Sequence, residues 1–275
     1  MEDKKYWTVG EIDATGVRGP HEVELQNISR IRHSSFIELP MEKLEKIVKE
    51  DLGGIIENLG FSEDWTITLS MFPEVNIHLI YTFIGDEFGG DVQAEFKFLF
   101  SGKRAYWVPG EDSATFIDIV LDFLDRKLKN ADPFEKDYDK KSDLMRKVLL
   151  QRSEPFKFLK ESDSKELAKF IGGRVWKMTS GWRIKREIFP FIFAEILWDE
   201  NTGLDIKFSG EKLRTNISSY HAELIGIFTL NHILRYITYK NEDKSLPEIC
   251  YMMFSRYYTK SKGWEHRTFS SFSNL

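Results

Sequence analysis

Trp65-Thr66-Ile67-Thr68-Leu69-Ser70-Met71-Phe72-Pro73 and Trp182-Arg183-Ile184-Lys185-Arg186-Glu187-Ile188-Phe189-Pro190 are one pattern written twice. Trp65, Ile67, Phe72 and Pro73 return as Trp182, Ile184, Phe189 and Pro190 at identical spacing. The chain holds only seven tryptophans and eight prolines, so matching both in register by chance is a rare event.

The match extends outward from this anchor. Gly53-Gly54 and Gly172-Gly173 each follow an amphipathic run, and Ser35-Phe36 and Pro155-Phe156 precede those glycines at nearly equal distances. Downstream, Asp86-Glu87 corresponds to Asp199-Glu200, and Phe100-Ser101-Gly102 to Phe208-Ser209-Gly210. The second copy is shorter between Phe-Pro and Ser-Gly, as a trimmed hairpin would make it. A period of about 120 residues signals a duplicated domain, whereas solenoid repeats recur every ~20–50 residues.

Each copy predicts a helix, an antiparallel meander of three to five strands, and a closing helix, giving an α+β fold with halves related by a pseudo-twofold axis. Leu44, Ile47, Val48 and Leu52 share one helical face, and glycine at 53 and 172 suits the left-handed residue that ends a helix. Val75 to Phe83 and Ala94 to Phe100 read as strands with one apolar face. Phe116, Val120 and Leu124 line the first closing helix; Leu224, Phe228 and Leu234 line the second. The expected organisation is an extension with strands over 1–33, including alternating His21 to Leu25, then repeat 1 over 34–130. A charged, partly helical linker over 131–154, repeat 2 over 155–240 and an aromatic, basic segment over 241–275 complete it.

Composition narrows the class. At 275 residues with 41% hydrophobic and 14% aromatic residues, the chain is long and apolar enough for a sizeable core. A net charge of −5 gives the whole protein no general attraction for polyanions. Cys250, the single cysteine, excludes an intrachain disulfide framework and fits a reducing compartment. The longest apolar run, Ile188 to Trp198, is about half a bilayer span and contains Pro190 and Glu195. The N-terminus lacks the apolar core of a signal peptide. The expectation is therefore a cytoplasmic protein that does not enter a membrane.

Phe72, Pro73, Gly85, Asp86, Glu87, Phe88, Leu99, Phe100, Glu111 and Asp112 together resemble an uncharacterised domain family of anaerobic bacteria and archaea. That family carries a Phe-Pro strand, a Gly-Asp-Glu-Glu-Phe turn and a Leu-Phe-Asp strand end. This chain has one acidic residue fewer in the turn and serine in place of aspartate at 101. The second copy keeps Phe189, Pro190, Trp198, Asp199, Glu200 and Phe208. The resemblance covers about a third of the chain and implies no activity, cofactor or site.

The acidic pairs Asp86-Glu87 and Asp199-Glu200 are the first candidate site. Four carboxylates meeting at a pseudo-twofold axis would suit a hard cation or general acid–base chemistry, whereas Asp beside a hairpin glycine is also ordinary turn chemistry. Trp65, Trp182 and Trp198 are the aromatic residues expected to line a ligand cleft between the halves. No His-Glu-x-x-His, phosphate-binding glycine loop or Gly-x-Ser-x-Gly elbow occurs. Cys250, in Glu-Ile-Cys-Tyr-Met-Met-Phe, reads as packed rather than nucleophilic. His78 falls mid-strand on a polar face, and His232 on an apolar helical stripe.

Three functions follow as expectations. The first is a non-enzymatic module binding a small molecule or protein partner in an aromatic-lined cleft. The second is a divalent-cation-dependent enzyme built on the acidic turns. The third is a nucleic-acid binder using Arg174, Lys177, Arg183, Lys185 and Arg186 with Trp176 and Trp182. Arg256, Tyr257, Tyr258, Lys260, Lys262, Trp264, His266 and Arg267 extend that third surface, because basic residues among aromatics serve single-stranded nucleic acid.

Overall fold

A computed structural model describes residues 6–14, 19–37, 39–85, 94–134 and 138–268. The fold is α+β, with two four-stranded antiparallel sheets whose strands follow chain order. The chain divides after Asp132 into two units. Among the described residues, no helix is long and apolar enough to cross a membrane.

The first unit holds helices α1 (Val9–Asp13), α2 (Pro20–Arg32) and α3 (Met41–Ile47), the last continued by a π-helical turn, Val48–Leu52. Strands β1 (Ile55–Glu57), β2 (Trp65–Phe72), β3 (Val75–Phe83) and β4 (Ala94–Ser101) follow, and α4 (Gly110–Leu128) closes the unit. The second unit repeats this plan with α5 (Asp143–Phe156), α6 (Ser164–Ile171), β5 (Gly173–Met178), β6 (Gly181–Phe189), β7 (Ile192–Asp199) and β8 (Gly203–Ser209). It continues with α7 (Leu213–Asn216), long α8 (Ser219–Lys240), and short α9 (Glu248–Met252), α10 (Arg256–Ser261) and α11 (Glu265–Thr268).

The units agree in detail as well as in order. Trp65 pairs with Tyr81 across β2 and β3, and Trp182 with Trp198 across β6 and β7. Both hairpins carry one register irregularity, between Ser70 and Phe72 and between Glu187 and Phe189. Both then turn through Phe-Pro into a non-glycine residue at positive φ, Glu74 at 63° and Phe191 at 64°. Beneath the sheets, Phe36 packs 6.0 Å from Trp65, and Phe156 packs 6.1 Å from Trp182 and 5.5 Å from Trp198. The phenylalanines singled out by spacing therefore occupy equivalent core positions. Gly53 and Gly172 end their helices at φ 68° and 75°, because only glycine enters that region without steric cost.

Alternation along each strand sets which face is covered. In the first sheet Trp65, Ile67, Leu69, Ile77, Leu79, Tyr81, Phe96, Phe98 and Phe100 are buried on the helix-covered face. The Ser29 hydroxyl oxygen on α2 joins that packing by accepting the Phe96 N–H at 2.8 Å. In the second sheet α8 presses close enough that Gly226 lies against Phe208 and Ile206.

One expectation about the flanks is corrected. His21 to Leu25 belongs to helix α2, not a strand: Pro20 sits at its first turn after Gly19, and Leu25, Ile28 and Ser29 form the buried face. The alternation of Val23 and Leu25 misled because Val23 points to solvent. Among the described residues, the N-terminal region gives the sheet the bridge Trp7 to Phe100, with both backbone bonds at 2.8 Å. The charged linker ends in α5, capped by Ser142, with Met145, Val148 and Leu149 buried against the second unit. Over the final segment, Tyr251, Phe254, Tyr258 and Trp264 pack on one another as a small core.

Candidate functional site

The polar face of the first sheet carries a row of side chains contributed by all four strands. Thr68 and His78 are direct cross-strand partners, and Glu57 and Ser101 lie diagonally beyond them. The Thr68 hydroxyl donates to Glu57 Oε1 at 2.5 Å and lies 2.7 Å from His78 Nδ1. His78 Nε2 lies 2.8 Å from Ser101 Oγ. His78 is 4% exposed, whereas Glu57, Thr68 and Ser101 are half-buried. The imidazole is therefore nearly shielded from solvent, and the serine at the end of the row is partly open.

The row has a direction. A carboxylate only accepts hydrogen bonds, so the Thr68 proton points to Glu57 and its lone pair receives the proton on Nδ1. With the ring neutral, the same row leaves Nε2 to accept the Ser101 hydroxyl. Each bond fixes the next, which sets one tautomer.

Two rings flank the row. The Trp7–Phe100 bridge places Trp7 on the covered face, and alternation puts Tyr6 on the other, edge-on to His78 at 5.2 Å. Phe61 meets Tyr6 edge-on at 5.6 Å, and the Lys97 ammonium stands 4.7 Å from the Phe61 ring centre. Phe61 is held by Glu63, whose carboxylate accepts the N–H of Leu59 at 2.5 Å, the N–H of Phe61 at 2.7 Å and the Thr66 hydroxyl at 3.2 Å.

Burial acts to raise the Glu63 pKa, but its backbone and hydroxyl donors outweigh this and hold it below the ordinary carboxylate value. The stability it adds is therefore complete above the unfolded-state value and is lost as pH falls through the depressed one. The advantage of the wild type over Glu63→Gln is expected to shrink below about pH 4.3, read from urea midpoints at several pH values. An advantage that grows with acid would contradict the assignment.

The second sheet lacks this row. By register, Ser209, Glu195 and Lys185 stand where Ser101, His78 and Thr68 stand in the first. Lys185 and Glu195 form an ion pair at 3.5 Å there, so no imidazole faces the serine.

Asp86 and Glu87 lie outside the described residues. Asp199 closes the turn after β7: its carboxylate accepts from the Ser180 hydroxyl and from the N–H groups of Asn201 at 2.8 Å and Thr202 at 3.0 Å. Those bonds, the Ser180 hydroxyl first, hold its pKa below the usual range. Glu200 contributes its backbone N–H to the Ser180 carbonyl at 2.9 Å, and its side chain is exposed. Among the described residues no three histidines, cysteines or carboxylates gather in a way that could hold a metal ion. Trp65, Trp182 and Trp198 are buried against Phe36 or Phe156 inside their own units.

The basic–aromatic candidates separate by face. Arg174, Trp176, Arg183 and Lys185 share the polar face of the second sheet, with Arg183 5.3 Å from the exposed Trp176 ring. Trp182 and Arg186 point into the core, where Arg186 bonds the Thr229 hydroxyl at 3.0 Å and burial lowers its pKa to about 9. Tyr258 and Trp264 are buried, so neither ring is placed to stack on a base. His232 is fully buried and stacked 4.6 Å from Phe170.

Cys250 is also fully buried, and that burial pushes its thiol up to about 12. Iodoacetamide is expected to modify Cys250 at least about 100-fold more slowly in native protein than in urea. Equal rates, measured by intact mass against time, would show the thiol to be open.

Periodicity along the sequence places His78 mid-strand on a polar face and does not reveal which side chains it meets. A countable signal was present: the two-residue turn at Pro73-Glu74 pairs Phe72 with Val75, and counting back brings Thr68 opposite His78 once the bulge is allowed for. No family model, no curated protein and no solved structure matches the chain.

Proposed function

We propose that this chain is a binding module for a small molecule with a carboxylate, ester or amide oxygen beside an apolar group, and that it binds on the polar face of its first sheet. The observation that carries this reading is the row Glu57–Thr68–His78–Ser101, satisfied internally and bordered by Tyr6, Phe61 and Lys97. Tyr6 and Phe61 supply apolar contact, the Lys97 ammonium supplies a cation for oxygen, and the Ser101 oxygen keeps acceptor capacity. Core tryptophans offer no such surface, and the Asp199 carboxylate is engaged by its own turn.

Titration with benzoate and benzamide, followed by backbone amide shifts, tests the proposal. The expected perturbations centre on Tyr6, Phe61, His78, Lys97 and Ser101, and Ser101→Trp removes them. Perturbations confined to other residues, or none at millimolar ligand, would sink the reading.

A further inference from the structure

The directed hydrogen-bond row points to chemistry at its open end, and we infer that Ser101 is a nucleophile activated by His78 toward acyl and phosphonyl groups. The inference rests on the proposed binding face but asks more of it. A nucleophilic serine needs a base within hydrogen-bond reach, and the base needs a third group that fixes its tautomer. Ser101 Oγ lies 2.8 Å from Nε2, the nitrogen that accepts when the ring is neutral and Nδ1 donates to Thr68. Thr68 accepts from Nδ1 at 2.7 Å and is itself polarised by Glu57 at 2.5 Å. The arrangement is a serine–histidine–acid relay with a hydroxyl interposed before the acid, assembled by register rather than by a local motif.

The geometry also distributes access as the chemistry requires. His78 is almost wholly shielded, which holds the ring in place, while Ser101 is half-buried at the strand end, where substrate and water can reach it. The residue after it, Gly102, has φ 103°, and a Cβ there would fall on the Glu74 carbonyl, so the turn carries no side chain beside the serine. The second unit keeps Ser209 but replaces histidine by Glu195, which pairs with Lys185. Reactivity is accordingly assigned to the first unit alone.

With an activated ester, the Ser101 proton passes to His78 Nε2 as Oγ bonds to the acyl carbon, and the carbon–oxygen bond to the leaving alcohol breaks. His78 returns that proton to the leaving oxygen. Water then attacks the acyl-serine, His78 taking its proton, and releases the acid while restoring the hydroxyl. Thr68 and Glu57 act through His78 and are positioning residues.

An alkyl fluorophosphonate is the probe for the full chain. Its phosphorus–fluorine bond breaks as Oγ–P forms, fluoride leaves, and the serine proton passes through His78 to solvent. The expected result is one phosphonyl mass per chain, mapped to Ser101 by peptide sequencing and absent from Ser101→Ala. His78→Gln should slow labelling by about 10²-fold or more, the scale of general-base assistance. Thr68→Val should also slow it, and Thr68→Ser, which restores the hydroxyl, should recover the wild-type rate. That recovery separates positioning from a general loss of fold. No adduct on Ser101, or equal rates in wild type and His78→Gln, would overturn the inference. Benzamide binding measured on the same samples separates the two failures: binding without labelling sinks only the nucleophile, whereas loss of both sinks the binding face as well.

Discussion

Trp65→Ala is expected to destabilise the first unit by about 3–5 kcal/mol, the cost of emptying a large aromatic position in a core. The indole is 5% exposed and stacked on Tyr81 with centroids 4.5 Å apart and planes 10° from parallel. Phe36 at 6.0 Å and Phe96 at 5.9 Å close its remaining sides. Alanine would remove the transfer free energy of the ring, leave a cavity among stiff neighbours, and forfeit aromatic contacts worth about 0.5–1.5 kcal/mol each. Against a typical domain stability of ~5–15 kcal/mol, that is a large share. Urea unfolding followed by far-ultraviolet circular dichroism measures it, with Trp65→Phe as the partial replacement. A loss below about 1 kcal/mol for Trp65→Ala would mean that the ring does not hold the core together.

Gly210→Ala should cost about 2–4 kcal/mol, combining backbone strain with overpacking. Gly210 has φ 132°, and an added Cβ would fall on the carbonyl oxygen of Phe191, which is backbone and cannot swing aside. Gly102 is its counterpart, with φ 103° and the Glu74 carbonyl in the same place. Each glycine lets a strand end cross directly over the Phe-Pro turn of its own sheet. Gly60→Ala is the control: φ is 84°, but nothing lies within 4 Å of the new methyl group. Strain alone then applies, about 1–2 kcal/mol. If Gly60→Ala and Gly210→Ala lowered the urea midpoint equally, the close carbonyl would have no energetic role.

Both substitutions bear on features that were visible before any fold was known. Trp65 and Trp182 flagged the paired hairpins because tryptophan in register with Phe-Pro is scarce. The shared turn, the shared bulge and the shared Gly102 and Gly210 contacts are the structural content of that match. The N-terminal region was misread because two alternating residues, Val23 and Leu25, imitate a strand over a length too short to exclude a helix. Pro20 after Gly19 was the better local signal.

The candidate site behaved differently. Asp199 and Glu200 stood out as an acidic pair, yet turn closure needs Asp199 oxygens for neighbouring N–H groups, a demand that adjacency in sequence cannot reveal. Trp65, Trp182 and Trp198 stood out as binding aromatics, yet burying a large ring beneath a sheet stabilises more than exposing it.

By itself the sequence determined the α+β class, the two-copy plan and the central strands with their Phe-Pro turns, because side-chain periodicity and rare residues in fixed register are local properties. The tertiary structure alone decided which polar residues meet. Glu57, Thr68, His78 and Ser101 come from four different strands, and a slip of one residue in any pairing would turn one of them to the opposite face. Their hydrogen bonds exist only once the register is set, and the register is set by the apolar residues on the other face of the same strands.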